Sequence, residues 1–243
     1  MILKEKRQKT KDRIQLAIQS ELEALGFRHL KSMADYRRII DNKTTIYLGY
    51  YEDCFLRNLI EVNINPSANY RDVEEVQYML MGYTVVRNGH FRLGSRLQWL
   101  IPEGDNAYED FCFRDSDSDG VINGKLEKLL WRIRTYVIPY LEKLADKDRA
   151  IVEITKLDRR GLIHFEGVVP IMHCLWKHDK KAALDYLEEK RLRLLEWVEP
   201  WEWEFMERFK NGERFGDKKP VGAMNYEDYM DFVAKFREWL NHQ

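Results

Sequence analysis

The chain has 243 residues, of which 40 are basic and 41 acidic, so the formal net charge is −1. Hydrophobic residues make up 44% of the chain, enough for a substantial core, while the charged share of 33% exceeds the usual ~25%. Because the charges balance, no global basic field attracts nucleic acid or an anionic membrane surface, and we expect neither partner.

The first 25 residues predict an amphipathic helix, and Gly26 follows where a C-terminal cap is expected. The apolar residues that recur at helical spacing are Ile14, Ala17, Ile18, Leu22 and Leu25. The basic residues that crowd the start of this helix are Lys4, Lys6, Arg7, Lys9, Lys11 and Arg13. A solvated, fraying helix start is the favoured interpretation, and a basic arm that binds an acidic partner is the alternative.

A meander of strands is predicted after the first helix. Residues 36–40 and 44–51 are rich in β-branched and aromatic residues, and a short polar turn separates them. Apolar residues alternate at period two over 58–65, which predicts a half-buried strand. Pro66 is expected to end this strand, because proline cannot donate to a ladder.

A helix and further strands complete the first half of the chain. Residues 70–81 follow a helical pattern. An Asn-Gly pair at 88–89 lies between two β-prone runs, 83–87 and 91–102, and this arrangement predicts a hairpin. Residues 108–114 are ambiguous and are assigned to a strand.

The hydrophobic period changes to that of a helix from residue 123 onward. The apolar stripe consists of Leu126, Leu129, Leu130, Ile133, Val137, Leu141 and Leu144. Pro139 lies inside the stripe. Because proline lacks a backbone donor and clashes with the carbonyl four residues earlier, we expect a kink there.

The order of elements predicts the fold class and the domains. Strands followed by helices are typical of α+β proteins. We predict an N-terminal helix and an antiparallel meander sheet with a long packing helix, followed by an all-helical C-terminal region. A polar segment at 145–149 suggests the boundary. Residues 1–146 are therefore assigned to an α+β domain, and residues 147–243 to a helical domain or helical extension.

Residues 115–126 begin like a calcium-binding loop. The positions that match are Asp115, Asp117, Asp119, Gly120, Val121, Ile122 and Asn123. The twelfth position should supply a bidentate carboxylate, but Leu126 occupies it and Glu127 comes one residue late. The favoured interpretation is an acidic turn into the long helix, because negative side chains suit a helix N-terminus. Calcium binding through a degenerate loop is the alternative.

Other signals for metal binding are weak. His173, Cys174 and His178 cluster in sequence, with His164 and Glu166 upstream. The two histidines nearest the thiol are five residues apart, so they do not share a helical face well. Ordinary helical histidines and a buried thiol are therefore the favoured interpretation.

Catalytic templates are absent from the sequence. It contains no GxSxG, no P-loop and no GxGxxG. Residues 211–220 carry glycines and lysines that suit a phosphate, but no strand is predicted before them. We therefore predict no catalytic, metal-binding or cofactor-binding residue, while an active site assembled from distant residues stays an alternative.

The segment 197–209 is unusually rich in aromatic and acidic residues. The aromatic residues that step by four are Trp197, Trp201, Phe205 and Phe209. Trp203 lies off this stripe. Core packing is the favoured interpretation of such a stripe. The alternative is an exposed aromatic and acidic patch that docks a protein partner.

The cysteines and the lengths of the apolar segments indicate the cellular compartment of the protein. Cys54, Cys112 and Cys174 are widely spaced and odd in number, which favours free thiols in a reducing compartment. The first residues lack the apolar segment of a secretory signal, and no apolar run approaches the ~20 residues of a membrane span. We expect a cytoplasmic protein with no membrane partner.

Two short segments carry a resemblance to a known family. They are Leu-Gly-Phe at 25–27, after the first helix, and Tyr-Val-Ile-Pro-Tyr-Leu-Glu-Lys-Leu at 136–144, within the long helix. In this order of elements, the first ~145 residues resemble a family of uncharacterised bacterial α+β domains, some of which are thought to be immunity-type partners of toxins. The resemblance implies a protein partner and supplies no catalytic residues.

The favoured prediction is thus a cytoplasmic, non-enzymatic protein-binding domain, with an immunity-type role as its specific version. One alternative is an enzyme with a dispersed active site, which a deep polar pocket lined by carboxylates or histidines would favour. A calcium-binding module is the second alternative.

Overall fold

The computed structural model describes residues 2–30, 35–53, 58–82, 91–102, 105, 108–162, 167–212 and 220–243. In these residues an N-terminal helix and an antiparallel sheet precede a C-terminal region made of helices, so the predicted α+β class is confirmed. The predicted features that lie wholly or largely outside the described residues are the hairpin at 88–89, Cys54, His164, Glu166 and the segment 211–220. None of the helices in this part of the chain is long and apolar enough to cross a membrane.

The strands are β1 (Arg28–Leu30), β2 (Asp35–Ile39), β3 (Thr44–Asp53), β4 (Leu59–Tyr70), β5 (Leu93–Gly94) and β6 (Cys112–Arg114). The helices are α1 (Ile2–Ala24), α2 (Arg71–Met81), α3 (Leu97–Leu100), α4 (Asp119–Arg132), α5 (Ile138–Ala145), α6 (Lys147–Arg159), α7 (Val168–Lys177), α8 (Lys180–Glu196), α9 (Pro200–Lys210) and α10 (Val221–Asn241). A 3-10 turn (Tyr108–Phe111) precedes β6, and a π-helical turn (Ile133–Val137) joins α4 to α5.

The chain divides into two compact units. Unit 1 comprises Met1–Arg71 and Gly89–Glu153, and unit 2 comprises Asp72–Asn88 and Ile154–Gln243. The boundary therefore falls inside α6 rather than before it, and α2 belongs almost entirely to the second unit. Trp176 of α7 donates a hydrogen bond of 3.2 Å from Nε1 to Asp72 Oδ2. A composition shift along the chain cannot reveal such a long-range contact.

The sheet of unit 1 buries one face and leaves the other polar. Its order is β1-β2-β3-β4-β5, β6 also pairs with β4, and the pairs are antiparallel. The buried side chains of β3 and β4 include Ile46, Leu48, Ile60, Val62 and Ile64. Helix α5 packs against both strands. One-sided burial is usual for antiparallel sheets, and it explains the period-two pattern in the sequence.

Pro66 does not end β4, contrary to the prediction, because the strand continues to Tyr70. Pro66 lies opposite Leu48 of β3, and its carbonyl accepts a hydrogen bond of 3.0 Å from Ser95 N. In a strand, the nitrogen and the carbonyl of one residue point to the same side. The proline nitrogen therefore points to the β5 side of β4, away from β3. Its missing N–H removes no hydrogen bond of the β3–β4 ladder.

The predicted strand over 91–102 is wrong for most of its length. Only Leu93 and Gly94 pair with β4, and α3 follows at once. The buried residues Phe91, Leu93, Ser95 and Leu97 alternate with less buried ones as in a strand, so periodicity alone could not show that the pairing stops at Gly94. A Cβ at Gly94 would lie 2.2 Å from Pro66 O, so only glycine lets β5 approach β4 this closely.

The predicted strand over 108–114 is half correct. A 3-10 turn occupies its first part, and only β6 pairs with β4, with Cys112 opposite Glu61. Phe111, Cys112 and Phe113 are all fully buried. Three consecutive buried residues show no alternation, so periodicity could not separate the turn from the strand.

A π-helical turn interrupts the long helix just before Pro139, at the place where a kink is predicted. In the π-helical turn, the Ile138 N–H donates to Ile133 O, five residues earlier. Pro139 has no N–H to donate, and in a regular α-helix its ring would meet the carbonyl of Thr135. The wider turn relieves this conflict and lets α5 continue as a helix.

The basic start of α1 binds the acidic turn between β6 and α4. Lys6 Nζ donates to the backbone oxygen of Asp115 at 2.5 Å. Arg7 forms two hydrogen bonds to the carboxylate of Asp115, one of them from Nε to Oδ1 at 3.1 Å. Arg13 Nη1 bonds Asp119 Oδ1 at 2.5 Å. The favoured interpretation of a solvated helix start is therefore wrong for these residues, because their charge is used within the chain.

The side chain of Asp117 stabilises the same turn through hydrogen bonds on its buried side. Its Oδ2 accepts hydrogen bonds from Arg114 N at 2.9 Å and from Lys125 Nζ at 2.8 Å. Burial raises the pKa of Asp117, but the Lys125 ammonium and the Arg114 N–H outweigh it and hold the pKa below its ordinary value. Ser118 then caps α4 by accepting from Val121 N. The interpretation of an acidic turn into the long helix is thus confirmed.

Unit 2 contains a buried polar cluster centred on Asp158. Its Oδ2 accepts from the Tyr186 hydroxyl at 2.6 Å, and its Oδ1 accepts from Lys190 Nζ at 2.9 Å. Arg193 Nη2 lies 3.4 Å from Oδ2. Because three donors satisfy one buried carboxylate, the cluster holds α6 and α8 together without leaving an unpaired charge.

Removing the Asp158 carboxylate should destabilise the protein strongly. Asp158→Ala removes the carboxylate that binds the buried ammonium of Lys190, and breaking a buried ion pair in this way costs about 3–5 kcal/mol. Urea unfolding followed by circular dichroism measures the loss. The matched control is Asp185→Ala, which removes an exposed ion pair with Lys181 and should leave stability nearly unchanged. Equal effects of the two changes would contradict the structural role of Asp158.

The Asp115 contact should make stability depend on acid pH. Its hydrogen bond from Arg7 holds the pKa of Asp115 below its ordinary value of about 3.9. A lowered folded-state pKa gives stability that is present above that ordinary value and lost as pH falls through the folded-state value. Asp115→Asn should therefore reduce the free energy of unfolding at pH 7, and the difference should shrink at pH 3. Urea unfolding at both pH values tests this, and Arg7→Gln should behave in the same way. A difference that does not change with pH would refute the linkage.

Candidate protein-binding surface

The link between α8 and α9 is fixed by backbone hydrogen bonds. Trp197 follows the last residue of α8 and donates its N–H to Leu194 O at 3.1 Å. Glu199 is the N-cap of α9, and Pro200 takes the first helical position, where its missing N–H costs nothing. Glu202 Oε2 accepts from Glu199 N at 3.0 Å, which completes a capping box.

Glu202 also ties α9 to the start of α10. Its Oε1 accepts a hydrogen bond of 3.0 Å from Gly222 N, and the residue is only 6% exposed. A Cβ at position 222 would lie 2.5 Å from Glu202 Oε2 and 3.0 Å from Trp197 O. The close approach at this glycine brings the end of α8, the start of α9 and the start of α10 together.

Four of the five aromatic residues of this region are exposed, and Phe205 is half-buried. Their exposed fractions range from 81% for Trp197 to 49% for Trp201, 38% for Phe209 and 37% for Trp203. The core interpretation of the stripe is therefore wrong. The buried face of α9 carries Glu202 and Met206 instead, because the Glu202 carboxylate finds two backbone donors there.

Aromatic contacts hold part of this surface in place. The rings of Trp201 and Phe205 meet edge to face, with centroids 5.6 Å apart. Trp203 makes a similar contact at 5.5 Å with Tyr226 of α10. Such geometries are favoured between aromatic rings. A partner would therefore meet side chains that are already ordered.

The charges nearest the tryptophans are mostly negative, and the basic residues Arg208 and Lys210 follow at the end of α9, where Lys210 Nζ lies 3.9 Å from Glu207 Oε1. The exposed carboxylates are those of Glu196, Glu199, Glu204 and Glu207, and the sequence has no lysine or arginine from 194 to 207. We call these four glutamates, together with Trp197, Trp201, Trp203 and Phe209, the acidic tryptophan surface. It combines apolar area with a local negative potential.

Further apolar residues border the acidic tryptophan surface. Leu192 and Leu195 at the end of α8 and Val221 at the start of α10 are all exposed. The spacing of aromatic residues did not predict them, because leucine and valine are not aromatic. A signal was present: Ala183, Leu187 and Lys190 define the buried face of α8, and the two leucines lie off that face.

The acidic turn is not built as a calcium loop. Helix α4 begins at Asp119, so the residues from the fifth position of the predicted loop onward are helical. The oxygen atoms that a cation would need are bound by Arg7, Lys125 and Arg13. A loop that coordinates calcium needs about 6–8 free oxygen ligands. Position 126 adds none, because the leucine side chain has no oxygen atom.

The histidines and the thiol predicted as a weak metal cluster lie on α7. His173 and Cys174 are half-buried, and His178 ends the helix with a φ of 52°. Burial lowers the pKa of His173 and raises that of Cys174 to about 11, so neither group is charged at neutral pH. Over the described ranges, no three His, Cys, Asp or Glu side chains are placed to hold a metal ion.

A cleft in unit 1 bears on the alternative of a dispersed active site. It has a volume of about 420 Å³, and its lining includes His29, Tyr50 and Glu52. The His29 ring stacks on Tyr36 with centroids 4.8 Å apart. Glu52 accepts from Lys11 Nζ at 2.8 Å and from the Tyr50 hydroxyl. Because neighbouring side chains engage both titratable groups, the cleft gives no specific support to an enzyme.

Comparisons with protein-family models, with curated proteins and with solved structures found no match. The resemblance to bacterial immunity-type domains therefore stays a prediction. The acidic tryptophan surface is the feature of the described chain that most directly offers a function.

Calcium should not bind to the acidic turn. Titration of calcium into chelator-treated protein should release no heat, and millimolar calcium should leave the melting temperature unchanged, because Arg7, Arg13 and Lys125 occupy the carboxylates. Isothermal calorimetry and thermal unfolding measure both quantities. A rise in melting temperature that Asp117→Asn abolishes would contradict this expectation.

Proposed function

We propose that this chain is a cytoplasmic, non-enzymatic protein-binding module that uses the acidic tryptophan surface to hold a basic segment of a partner protein. The observation that carries the proposal is Trp197, whose indole is 81% exposed beside exposed carboxylates. Trp197 is not alone, because Trp201, Leu192, Leu195 and Val221 are exposed in the same region. Contiguous exposed apolar patches mark interaction sites, and tryptophan is among the residues that dominate binding energies at interfaces.

Apolar area supplies the affinity in this proposal. A buried aromatic side chain removes roughly 150–250 Å² from water, and each Å² of apolar surface is worth roughly 25 cal/mol. Trp197 and Trp201 together therefore offer several kcal/mol before the costs of association. The edge-to-face contact of Trp201 with Phe205 lowers these costs, since less side-chain freedom is lost on binding.

Charge supplies the selectivity. The glutamates of the acidic tryptophan surface repel an acidic partner and attract lysine and arginine side chains. Arginine suits the surface best, because its guanidinium stacks on an indole while it hydrogen-bonds to a carboxylate. The partner segment that fits is therefore basic and carries at least one apolar or arginine side chain that can cover an indole.

An immunity-type role is the specific version of this proposal. It rests on the resemblance carried by residues 25–27 and 136–144, and it would make the partner a toxin. Those residues belong to unit 1, whereas the acidic tryptophan surface belongs to unit 2. Binding of a basic partner does not depend on the resemblance, so the two parts of the proposal can be tested separately.

Truncating the exposed tryptophans should weaken binding without unfolding the protein. Affinity capture from the native host, followed by mass spectrometry, identifies a stoichiometric partner, which is then purified. Trp197→Ala and Trp201→Ala should each lower the affinity at least about tenfold, because truncating a central interface tryptophan costs about 2 kcal/mol or more. The free energy of unfolding should change little, because both side chains are exposed.

The matched control is Trp131→Ala, since Trp131 is a 48% exposed tryptophan of unit 1, outside the acidic tryptophan surface. It should leave the affinity unchanged. Glu196→Gln combined with Glu204→Gln should slow association and flatten its salt dependence. Partner binding that survives both tryptophan changes, or that Trp131→Ala weakens equally, would sink the proposal.

A further inference from the structure

Two arginines face each other across the edge of the sheet in unit 1. Arg28 of β1 lies directly opposite Arg37 of β2 in the antiparallel register. Directly opposite residues share a face of the sheet, with Cβ atoms about 4.5–5.5 Å apart, and like charges in this position destabilise the pair. Both side chains are exposed. The sequence therefore keeps an unfavourable pair where a neutral residue would fit.

No described residue neutralises this pair, since the side chains of Arg28 and Arg37 form no hydrogen bond and no ion pair within the described ranges. Asp35, two residues before Arg37 on the same strand and face, is already bound by Arg92 Nη1 at 2.7 Å. The guanidinium of Arg92 in turn lies over the Tyr47 ring, 4.1 Å from its centroid. Around Arg37, this sheet face thus carries the guanidinium groups of Arg28, Arg37 and Arg92, and the nearby carboxylate of Asp35 is already engaged.

A cleft lies at the same place. It has a volume of about 230 Å³ and is lined by Gly26, Arg28, Arg37, Arg38 and Ile39. Arg38 is held in position: its Nη2 bonds Glu142, its Nη1 donates to Leu25 O at 3.2 Å, and its guanidinium lies over the Phe27 ring. A volume several times the ~30 Å³ of a water molecule has room for a tetrahedral oxyanion.

We propose that Arg28 and Arg37 form a binding site for a phosphate-class dianion, either free or as the phosphate group of a small ligand. Two guanidinium groups can each give a planar pair of N–H donors to one tetrahedral oxyanion. The bound anion would replace the repulsion between the two arginines with two charge-assisted contacts. The site is independent of the acidic tryptophan surface, which lies in unit 2.

Inorganic phosphate is the probe for this site. In thermal unfolding at constant ionic strength, phosphate should raise the melting temperature of the native protein, and calorimetry should give a saturable isotherm. Arg28→Gln and Arg37→Gln should each lower phosphate affinity about tenfold or more, because each removes a charge-assisted contact. Without phosphate, both variants should be at least as stable as the native protein, since each removes the repulsion.

The matched control is Arg149→Gln, which removes an exposed arginine of the same unit and changes the net charge equally. It should leave phosphate affinity unchanged. Glucose 6-phosphate, compared with glucose, separates a phosphorylated small ligand from free phosphate as the source of the anion. A phosphate effect of equal size in all four proteins would show ionic screening alone and overturn the proposal. An equal response to acetate at matched ionic strength would overturn the assignment to a dianion.

Discussion

The contact between the basic start of α1 and the acidic turn at 115–119 is the constraint on which unit 1 depends. Three carboxylates lie within five residues there, and by themselves they would repel one another. Arg7 and Arg13, more than a hundred residues earlier, supply the opposite charges. This pairing aligns α1 with α4, and the apolar stripe of α1 can then be buried. A charge contact thus orients the helices that hydrophobic burial stabilises.

The same contact explains why the acidic turn is a helix start and not a calcium loop, although the sequence suits both. Asp, Ser and Gly at these spacings suit a calcium loop, and they also suit a helix start with its charges satisfied. Which of the two forms depends on where the nearest cations lie in space. Here Lys125 belongs to the following helix, α4, and Arg7 belongs to the N-terminal helix, α1, which is distant in sequence. Neither could be assigned to the turn from the spacing alone.

A buried carboxylate has a comparable influence in unit 2. Glu202 takes the inward position on α9 because it closes a capping box and accepts from Gly222 N. With that position filled, the aromatic stripe of Trp201 and Phe209 turns outward. The predicted stripe holds only for Trp201, Phe205 and Phe209, because Trp197 caps α8 and lies before α9. Periodicity also indicates only that residues share a face, not which face is buried. A prediction from hydrophobicity alone places the tryptophans in the core, which is incorrect here.

The sequence by itself determined the fold class, the long helices of both halves, the strands β2 and β3, and an irregularity of the long helix at Pro139, because hydrophobic period and proline geometry act locally. It also placed the aromatic stripe and the acidic turn. Only the tertiary structure decided that Pro66 lies within a strand, since that depends on which edge of β4 has a partner. It decided that α2 joins unit 2, that Arg28 meets Arg37, and that the tryptophans face solvent. Each of these depends on contacts between distant residues, and no local pattern encodes such contacts.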